Sequence, residues 1–147
     1  MSNQNNPVPL GKSFDEISIG ETASFRKTIS ESDIYLFAGV SGDFNPLHVD
    51  EEYAKQTMFG SRIAHGALPA ALLAPVLGMK LPGPGTLALE STTKFRKPVY
   101  PGDTICCTVT VTEKIERLKI ICFKVSWLNQ KGETVAKGSA KVIPPEK

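Results

Sequence analysis

The chain has 147 residues, of which 41% are hydrophobic and 22% are charged, and its formal net charge is +2. These values are typical of a single globular domain with its own hydrophobic core. The small charge and the scattered lysines and arginines argue against a nucleic-acid-binding protein, and the longest apolar run, residues 66–78, is shorter than the ~20 residues that cross a bilayer.

Residues 1–11, MSNQNNPVPLG, are polar and lack the basic and apolar regions of a signal peptide. We predict that they form a flexible tail before a domain over residues 12–147. The three cysteines lack CxxC spacing, and Cys106 and Cys107 are adjacent, so that on a strand they point to opposite faces. This pattern favours buried thiols in a reducing compartment, and we therefore predict a cytoplasmic protein.

The sequence predicts one strand followed by helices in the first half of the domain. Residues 21–30 partly alternate and predict a strand. Ser30 or Ser32 can cap a following helix that glycines close. Residues 50–57 predict a second short helix, with acids in its first turn where the helix dipole favours them.

Residues 66–78 predict a buried helix, because this run is apolar on all sides. Pro69 fits in the first turn, whereas Pro75 should kink or end the helix. Beyond residue 85 the sequence is rich in β-branched residues and predicts an antiparallel meander. Four strands are predicted, over residues 86–99, 103–117, 119–130 and 134–144, with tight turns at 100–103 and 129–133.

This order of elements indicates an α+β domain in which a long antiparallel sheet wraps around one central apolar helix. That arrangement is the hot-dog fold. Because one helix cannot cover so long a sheet, we also expect the chain to form a dimer.

The polar stretch SGDFNPLHVDEEY, residues 41–53, contains a candidate site. Pro46 fixes its own φ angle and keeps Asn45 out of the helical region, so this turn is stiff. A stiff turn can hold Asp43 and His48 at a fixed distance, as a general acid–base pair acting through one water requires. The alternative is an ordinary turn, since Asp, Asn and Pro are common turn residues.

A second candidate is His65-Gly66, where a loop enters the apolar helix. Free N–H groups at a helix start, and a residue without a Cβ, can form an oxyanion site for a thioester enolate. Alternatively, Gly66 only eases the helix start and His65 is a hydrogen-bonded structural residue. A metal site from Asp43, His48, Asp50 and His65 matches no standard spacing, so we predict no metal.

Three strings, GDFNPLHVD, RIAHGAL and KFRKPVYPGDT, resemble the MaoC-like (R)-specific enoyl-CoA hydratases, which have the hot-dog fold. The resemblance runs from about Phe25 to the end of the chain, and its D-x-N-P-x-H string is specific. It favours the catalytic interpretation of the polar turn over the structural one.

The resemblance implies that Asp43 and His48 form a dyad that activates a water for addition to C3 of a trans-2-enoyl thioester. Asp43 accepts the water proton, and His48 holds the water and takes part in protonation at C2. Asn45 orients the turn and the thioester, and the Gly66 N–H binds the thioester oxygen. The substrate is an acyl-CoA or acyl carrier protein thioester, no cofactor is needed, and the enzyme is a homodimer or higher oligomer.

The resemblance also places the acyl chain against the central helix, at Leu73, Ala74 and Leu77. Some relatives carry a serine where Ala74 stands, which leaves chain length open. Two alternatives remain for the function. A hot-dog thioesterase commonly has a carboxylate on or near this helix, but residues 66–78 contain none. A non-catalytic acyl-thioester-binding domain would need neither Asp43 nor His48.

Overall fold

A computed structural model describes residues 8–147. Most of the predicted tail, residues 1–7, lies outside the described residues. Gly11, at the end of that tail, donates its N–H to the carbonyl of Pro84 at 2.8 Å. None of the helices in residues 8–147 is long and apolar enough to span a membrane.

The described chain has one strand, then a run of short helices and then four strands, in the order that the sequence predicts for an α+β domain. After a 3₁₀ turn at Phe14–Glu16, the elements are β1 (Thr22–Thr28), α1 (Glu31–Ser41), α2 (Pro46–Val49), α3 (Glu51–Ala54), α4 (Ala67–Ala70), α5 (Leu73–Pro75), a π-helical turn (Val76–Lys80), β2 (Leu87–Phe95), β3 (Thr104–Ile115), β4 (Ile120–Leu128) and β5 (Thr134–Ile143).

Local capping sets the ends of α1. The Ser30 hydroxyl accepts a hydrogen bond from the Asp33 N–H at 3.0 Å, and the Asp33 carboxylate accepts one from the Ser30 N–H at 2.9 Å. This reciprocal pair is a capping box and identifies Ser30, of the two predicted candidates, as the cap. Gly42 closes the helix with a φ angle of 81°, a left-handed conformation that glycine adopts without strain.

The central apolar segment is less regular than the single helix predicted over 66–78. It consists of α4, α5 and the π-helical turn in succession. Pro75 ends α5, because it has no N–H to donate to the preceding turn. The N–H of Leu81 then donates to the carbonyl of Val76 at 2.8 Å, five residues back. One side of the segment is buried in the core, whereas Ala71, Ala74 and Met79 are exposed.

The five strands form one antiparallel sheet in the order β1-β3-β4-β5-β2. The predicted meander is correct for β3, β4 and β5 but wrong for β2, which pairs with β5 at the far edge. Hydrophobic alternation identifies a strand but does not select its neighbour, which depends on packing across the sheet. The largest fully buried side chains include Trp127, Phe123 and Ile105, which lie on the inner face of the sheet.

Strand β2 is an edge strand that is exposed on nearly all of its length. Leu87, Leu89 and Phe95 are 58%, 48% and 59% exposed. A long edge strand with exposed apolar side chains is unusual for a protein that acts alone, because it offers free N–H and C=O groups to another strand.

Gly138 tests the pairing of β2 with β5. A Cβ at this position would lie 1.8 Å from the carbonyl oxygen of Thr92. We expect Gly138→Ala to lower the free energy of unfolding by roughly 1–3 kcal/mol or more, measured by urea denaturation. Gly39→Ala is the control, because a Cβ at Gly39 has open space in α1. It should raise the stability by up to about 1 kcal/mol. Equal midpoints for the two variants would contradict the observed register.

Candidate active site

The polar turn after α1 is a series of side-chain-to-backbone hydrogen bonds. The Asp43 carboxylate accepts from the Asn45 N–H at 3.1 Å. The Asn45 side-chain oxygen then accepts from the Leu47 N–H at 3.0 Å and caps α2, whose first residue is Pro46. The stiff turn predicted from the sequence therefore continues directly into a short helix that the sequence analysis missed. Asn45 orients the turn as the resemblance implies.

His48 lies on α2 and is only 7% exposed. Its Nδ1 lies 2.8 Å from the carbonyl oxygen of Ile63. Because a carbonyl can only accept, Nδ1 carries the proton, and in the neutral ring Nε2 has a free lone pair. This Nε2 faces the Asp43 carboxylate, whose Oδ2 is 3.8 Å away. The two residues predicted as a dyad are thus adjacent.

The dyad presents two hydrogen-bond acceptors to the same point. A neutral imidazole Nε2 and a carboxylate oxygen cannot hydrogen-bond to each other, since neither has a proton to donate. A separation of 3.8 Å lets one water molecule donate one O–H to each atom. The Asp43 side chain is 52% exposed, so such a water can reach it from solvent.

His65 packs directly against the dyad. Its Nε2–H donates to the backbone carbonyl of Asp43 at 2.8 Å, and its ring stacks on that of His48 with the centroids 4.0 Å apart. The residue is 2% exposed, and its Nδ1 has no hydrogen-bond partner among the described residues. His65 is therefore hydrogen-bonded, and it also supports the polar turn and the His48 imidazole.

Asp43, His48 and His65 could hold a metal ion by distance alone, with ligand atoms within 4.8 Å of one another. However, the Nε2–H of His65 is engaged with a carbonyl, and its Nδ1 is buried. A third ligand would require the ring to move. Asp50, the fourth residue of the metal alternative, accepts from the Tyr53 N–H and caps α3 instead. The absence of a metal stays a prediction.

A cavity of about 300 Å³ lies beside His48. Gly66 forms part of its wall, and no hydrogen bond within residues 8–147 engages the Gly66 N–H. The ring of Phe95 packs against this glycine so closely that a Cβ on Gly66 would lie 2.9 Å from it. A side chain at position 66 would therefore force the exposed ring of Phe95 to shift.

The residues predicted to hold the acyl chain do not line this cavity. Leu73 and Leu77 are buried in the core, and Ala74 is exposed. The apolar part of the wall consists of other residues, namely Phe59, Ile63, Ala64, Pro69, Ala70, Phe95, Pro98, Val99, Val135 and Ala136. Most of these residues lie in or next to the three sequence strings that carry the family resemblance. The sequence pattern alone could not show which of their side chains face a cavity. The part of Leu73, Ala74 and Leu77 in acyl binding stays a prediction.

Arg62 joins the elements around the site, and the sequence analysis missed it. Its Nε donates to Glu51 on α3 at 2.9 Å, and its guanidinium also donates to Tyr35 at 2.9 Å and forms an ion pair with Glu31, both on α1. Hydrogen bonding to Arg62 lowers the pKa of Glu51. Arg62 precedes Ile63, whose carbonyl holds the imidazole of the dyad, so these contacts position that carbonyl.

Comparison with known proteins agrees with this geometry. A family model described as a MaoC-like domain matches residues 16–131. An (R)-specific enoyl-CoA hydratase of Rhodospirillum rubrum is 48% identical over 132 residues, covering 90% of this chain and 91% of the relative. A 3-hydroxybutyryl-CoA dehydratase of Methylorubrum extorquens is 40% identical over 137 residues, covering 91% and 85%.

A solved structure shows the same fold. The unliganded R-hydratase PhaJ1 of Pseudomonas aeruginosa is similar with a TM-score of 0.88 and 39% identity, covering 93% of this chain and 88% of the other. The hot-dog fold predicted from the sequence is thereby confirmed.

Arg62→Met tests the contacts of this arginine. The guanidinium is 11% exposed, and its loss removes three charge-assisted hydrogen bonds. We expect the free energy of unfolding to fall by about 1–3 kcal/mol in urea denaturation at pH 7. Lys55→Met is the control, since within residues 8–147 Lys55 forms an ion pair only with the exposed Glu52, and its loss should cost under about 0.5 kcal/mol. Equal losses of stability in the two variants would contradict the role of Arg62 in joining α1 and α3.

The same variant should change the pH dependence of stability. The pKa of Glu51 is lowered from 4.5 in the folded chain. The stabilisation from Glu51 is therefore present above about pH 4.5 and is lost as the pH falls through the lowered value. Arg62→Met should remove this part of the loss of stability at acid pH, measured by urea denaturation across the acid range. The same pH dependence in the variant and the wild type would contradict the coupling of Glu51 to Arg62.

Proposed function

Since the chain belongs to the MaoC-like domain family, we propose that it is a hydro-lyase that reversibly adds water to a trans-2-enoyl-CoA to form an (R)-3-hydroxyacyl-CoA. The relatives are named as a hydratase and a dehydratase, which agrees with the enzyme class that the motifs predict. The observation that carries the proposal is the pair of acceptors, His48 Nε2 and Asp43 Oδ2, that meet 3.8 Å apart beside an apolar cavity.

In the proposed reaction, Asp43 and His48 hold one water molecule by its two O–H groups. This leaves the lone pairs of the water oxygen free to attack C3 of the enoyl thioester. As the oxygen–C3 bond forms, the Asp43 carboxylate accepts a proton from the water, and the C2–C3 double bond shifts its electrons towards the thioester carbonyl. The dyad then returns a proton to C2, with His48 taking part, so that one H and one OH are added in total.

Gly66 is the proposed oxyanion donor. Its N–H has no other partner in the described chain, and the residue lines the same cavity as His48. A backbone N–H held in a fixed position can stabilise the negative charge that develops on the thioester oxygen. The resemblance implies that Asn45 orients the turn and the thioester. The mechanism uses no metal or cofactor, because the carboxylate and the imidazole activate the water.

The thioesterase alternative has less support. The central segment, residues 67–80, contains no Asp or Glu on which a hydrolytic base could be placed. The second alternative is a non-catalytic acyl-thioester-binding domain. Such a domain does not require a carboxylate and an imidazole that face the same point.

We also propose that two copies of the chain pair through β2. The exposed apolar side chains of this edge strand and its free backbone groups can be covered by β2 of a second copy, which would extend the sheet. A pair of copies would also cover the sheet surface that the short central segment leaves open.

A cytoplasmic location is the third part of the proposal. All three cysteines are free, and burial raises the pKa of Cys107 to about 12, so this thiol is unreactive. Free thiols without a disulfide framework are typical of a reducing compartment.

The dyad is tested by Asp43→Asn and His48→Gln with crotonyl-CoA as substrate. We expect each variant to lose at least about 100-fold in kcat, the lower end of the usual range for general acid–base groups. The measurement is the loss of the conjugated enoyl-thioester absorbance, with chiral analysis of the product. Full activity in both variants would contradict the dyad, and an (S)-product would contradict the proposed stereochemistry.

Asp50→Asn is the matched control, because Asp50 lies close in sequence but only caps α3. It should keep the wild-type kcat. If the wild-type chain released free thiol from a saturated acyl-CoA and left crotonyl-CoA unchanged, the thioesterase alternative would replace the proposal.

The interface is tested by Leu89→Glu, which puts a charge on the exposed edge strand. We expect this variant to shift from dimer to monomer in analytical ultracentrifugation, since a buried unpaired carboxylate strongly opposes association. Leu36→Glu, on the exposed face of α1, is the control and should leave the mass unchanged. A wild-type monomer at micromolar concentration would refute the interface.

A further inference from the structure

Four basic residues cluster where β2 ends beside β5. We call Lys94, Arg96, Lys97 and Lys137 the cationic cluster. Arg96, Lys97 and Lys137 line a shallow groove of about 470 Å³ with Glu133 and Thr134 as its other walls. Lys94 stands directly opposite Lys137 in the pairing of β2 with β5.

The cluster carries an excess of positive charge that the protein does not neutralise. Lys97 forms an ion pair with Glu133. Within residues 8–147, the charged groups of Lys94, Arg96 and Lys137 take part in no ion pair and no side-chain hydrogen bond. Like charges directly opposite on paired strands destabilise a sheet. The arrangement therefore costs stability in the free chain, and a bound anion would offset that cost.

The cluster is continuous with the candidate active site. Arg96 and Lys97 line the groove and also the cavity that contains His48 and Gly66. A ligand whose reactive end lies at the dyad can therefore extend past Phe95 and reach the cluster with its other end. The apolar wall suits an acyl or pantetheine chain, and the cationic end suits phosphate groups.

We propose that the cationic cluster binds the phosphate groups of the pantetheine carrier to which the acyl chain is attached. This inference rests on the proposed function and specifies which part of the substrate the groove recognises. Arg96 offers a planar guanidinium for two parallel hydrogen bonds to a phosphate, and the lysines add ammonium charges. Coenzyme A and a carrier protein both attach pantetheine through a phosphate, and the substrates below distinguish them.

The test compares the double variant Arg96→Gln/Lys137→Gln with the wild-type chain on four crotonyl thioesters. They are those of coenzyme A, of dephospho-coenzyme A without the 3′-phosphate, of pantetheine without any phosphate, and of an acyl carrier protein. Lys124→Gln is the control, since this exposed lysine lies on β4 outside both linings.

We expect the double variant to raise KM for crotonyl-CoA about tenfold or more, while KM for the pantetheine thioester changes far less. The wild-type KM for crotonyl-CoA should also rise with salt, because exposed ion pairs are screened. Lys124→Gln should match the wild type throughout. If the double variant raises KM only for crotonyl-CoA, the cluster binds the 3′-phosphate. If it also raises KM for the dephospho-coenzyme A or carrier protein thioester, the cluster binds the phosphates next to pantetheine.

An equal change in KM on the pantetheine thioester and on crotonyl-CoA, or no change on any substrate, would overturn the phosphate assignment. Failure of the proposed function is a different result. In that case the wild-type chain itself would hydrate none of the four thioesters.

Discussion

The hydrogen bond from His48 Nδ1 to the carbonyl of Ile63 is the interaction on which the candidate site depends. It joins α2 to a loop 15 residues further along the chain and assigns the ring proton to Nδ1. Only with that assignment does Nε2 present a lone pair towards Asp43. If the proton were on Nε2, the ring would donate to the carboxylate, and the pair would no longer accept from one water.

The loop that carries the Ile63 carbonyl is held from both sides. The N–H of Ile63 donates to the carbonyl of Leu47 at 3.2 Å, and that of Ala64 donates to the carbonyl of Val99 at 2.7 Å. Arg62 adds its bonds to α1 and α3. The loop therefore connects the helical half of the domain to the end of the sheet, and the dyad sits where these halves meet. This placement explains why a site on short helices and loops can keep a fixed geometry.

One buried nitrogen of the site lacks a hydrogen-bond partner among the described residues, which lowers the stability of the fold. The Nδ1 of His65 is buried without a hydrogen bond among the described residues, and such an atom costs about 1–3 kcal/mol. The ring remains in place because its other nitrogen holds the Asp43 carbonyl and its face supports His48. The cationic cluster is a similar case, in which like charges on paired strands reduce the stability of the free chain. Local departures from optimal stability of this kind are expected where a protein binds substrate or partner.

The sequence by itself determined the features that depend on near neighbours. Alternation located β1, enrichment in β-branched residues located the other four strands, and the capping residues placed α1. The spacing of Asp43, Asn45 and His48 around Pro46 indicated a stiff turn, and the family resemblance favoured its catalytic interpretation. The tertiary structure alone decided what depends on distant residues. Examples are β2 pairing with β5 and not with β3, the ring of Phe95 on Gly66, the stacking of His65 on His48, and a cavity lined by residues other than Leu73, Ala74 and Leu77. The reason is physical: periodicity and capping act within a few residues, whereas strand partners and cavity walls are set by packing between segments far apart in the chain.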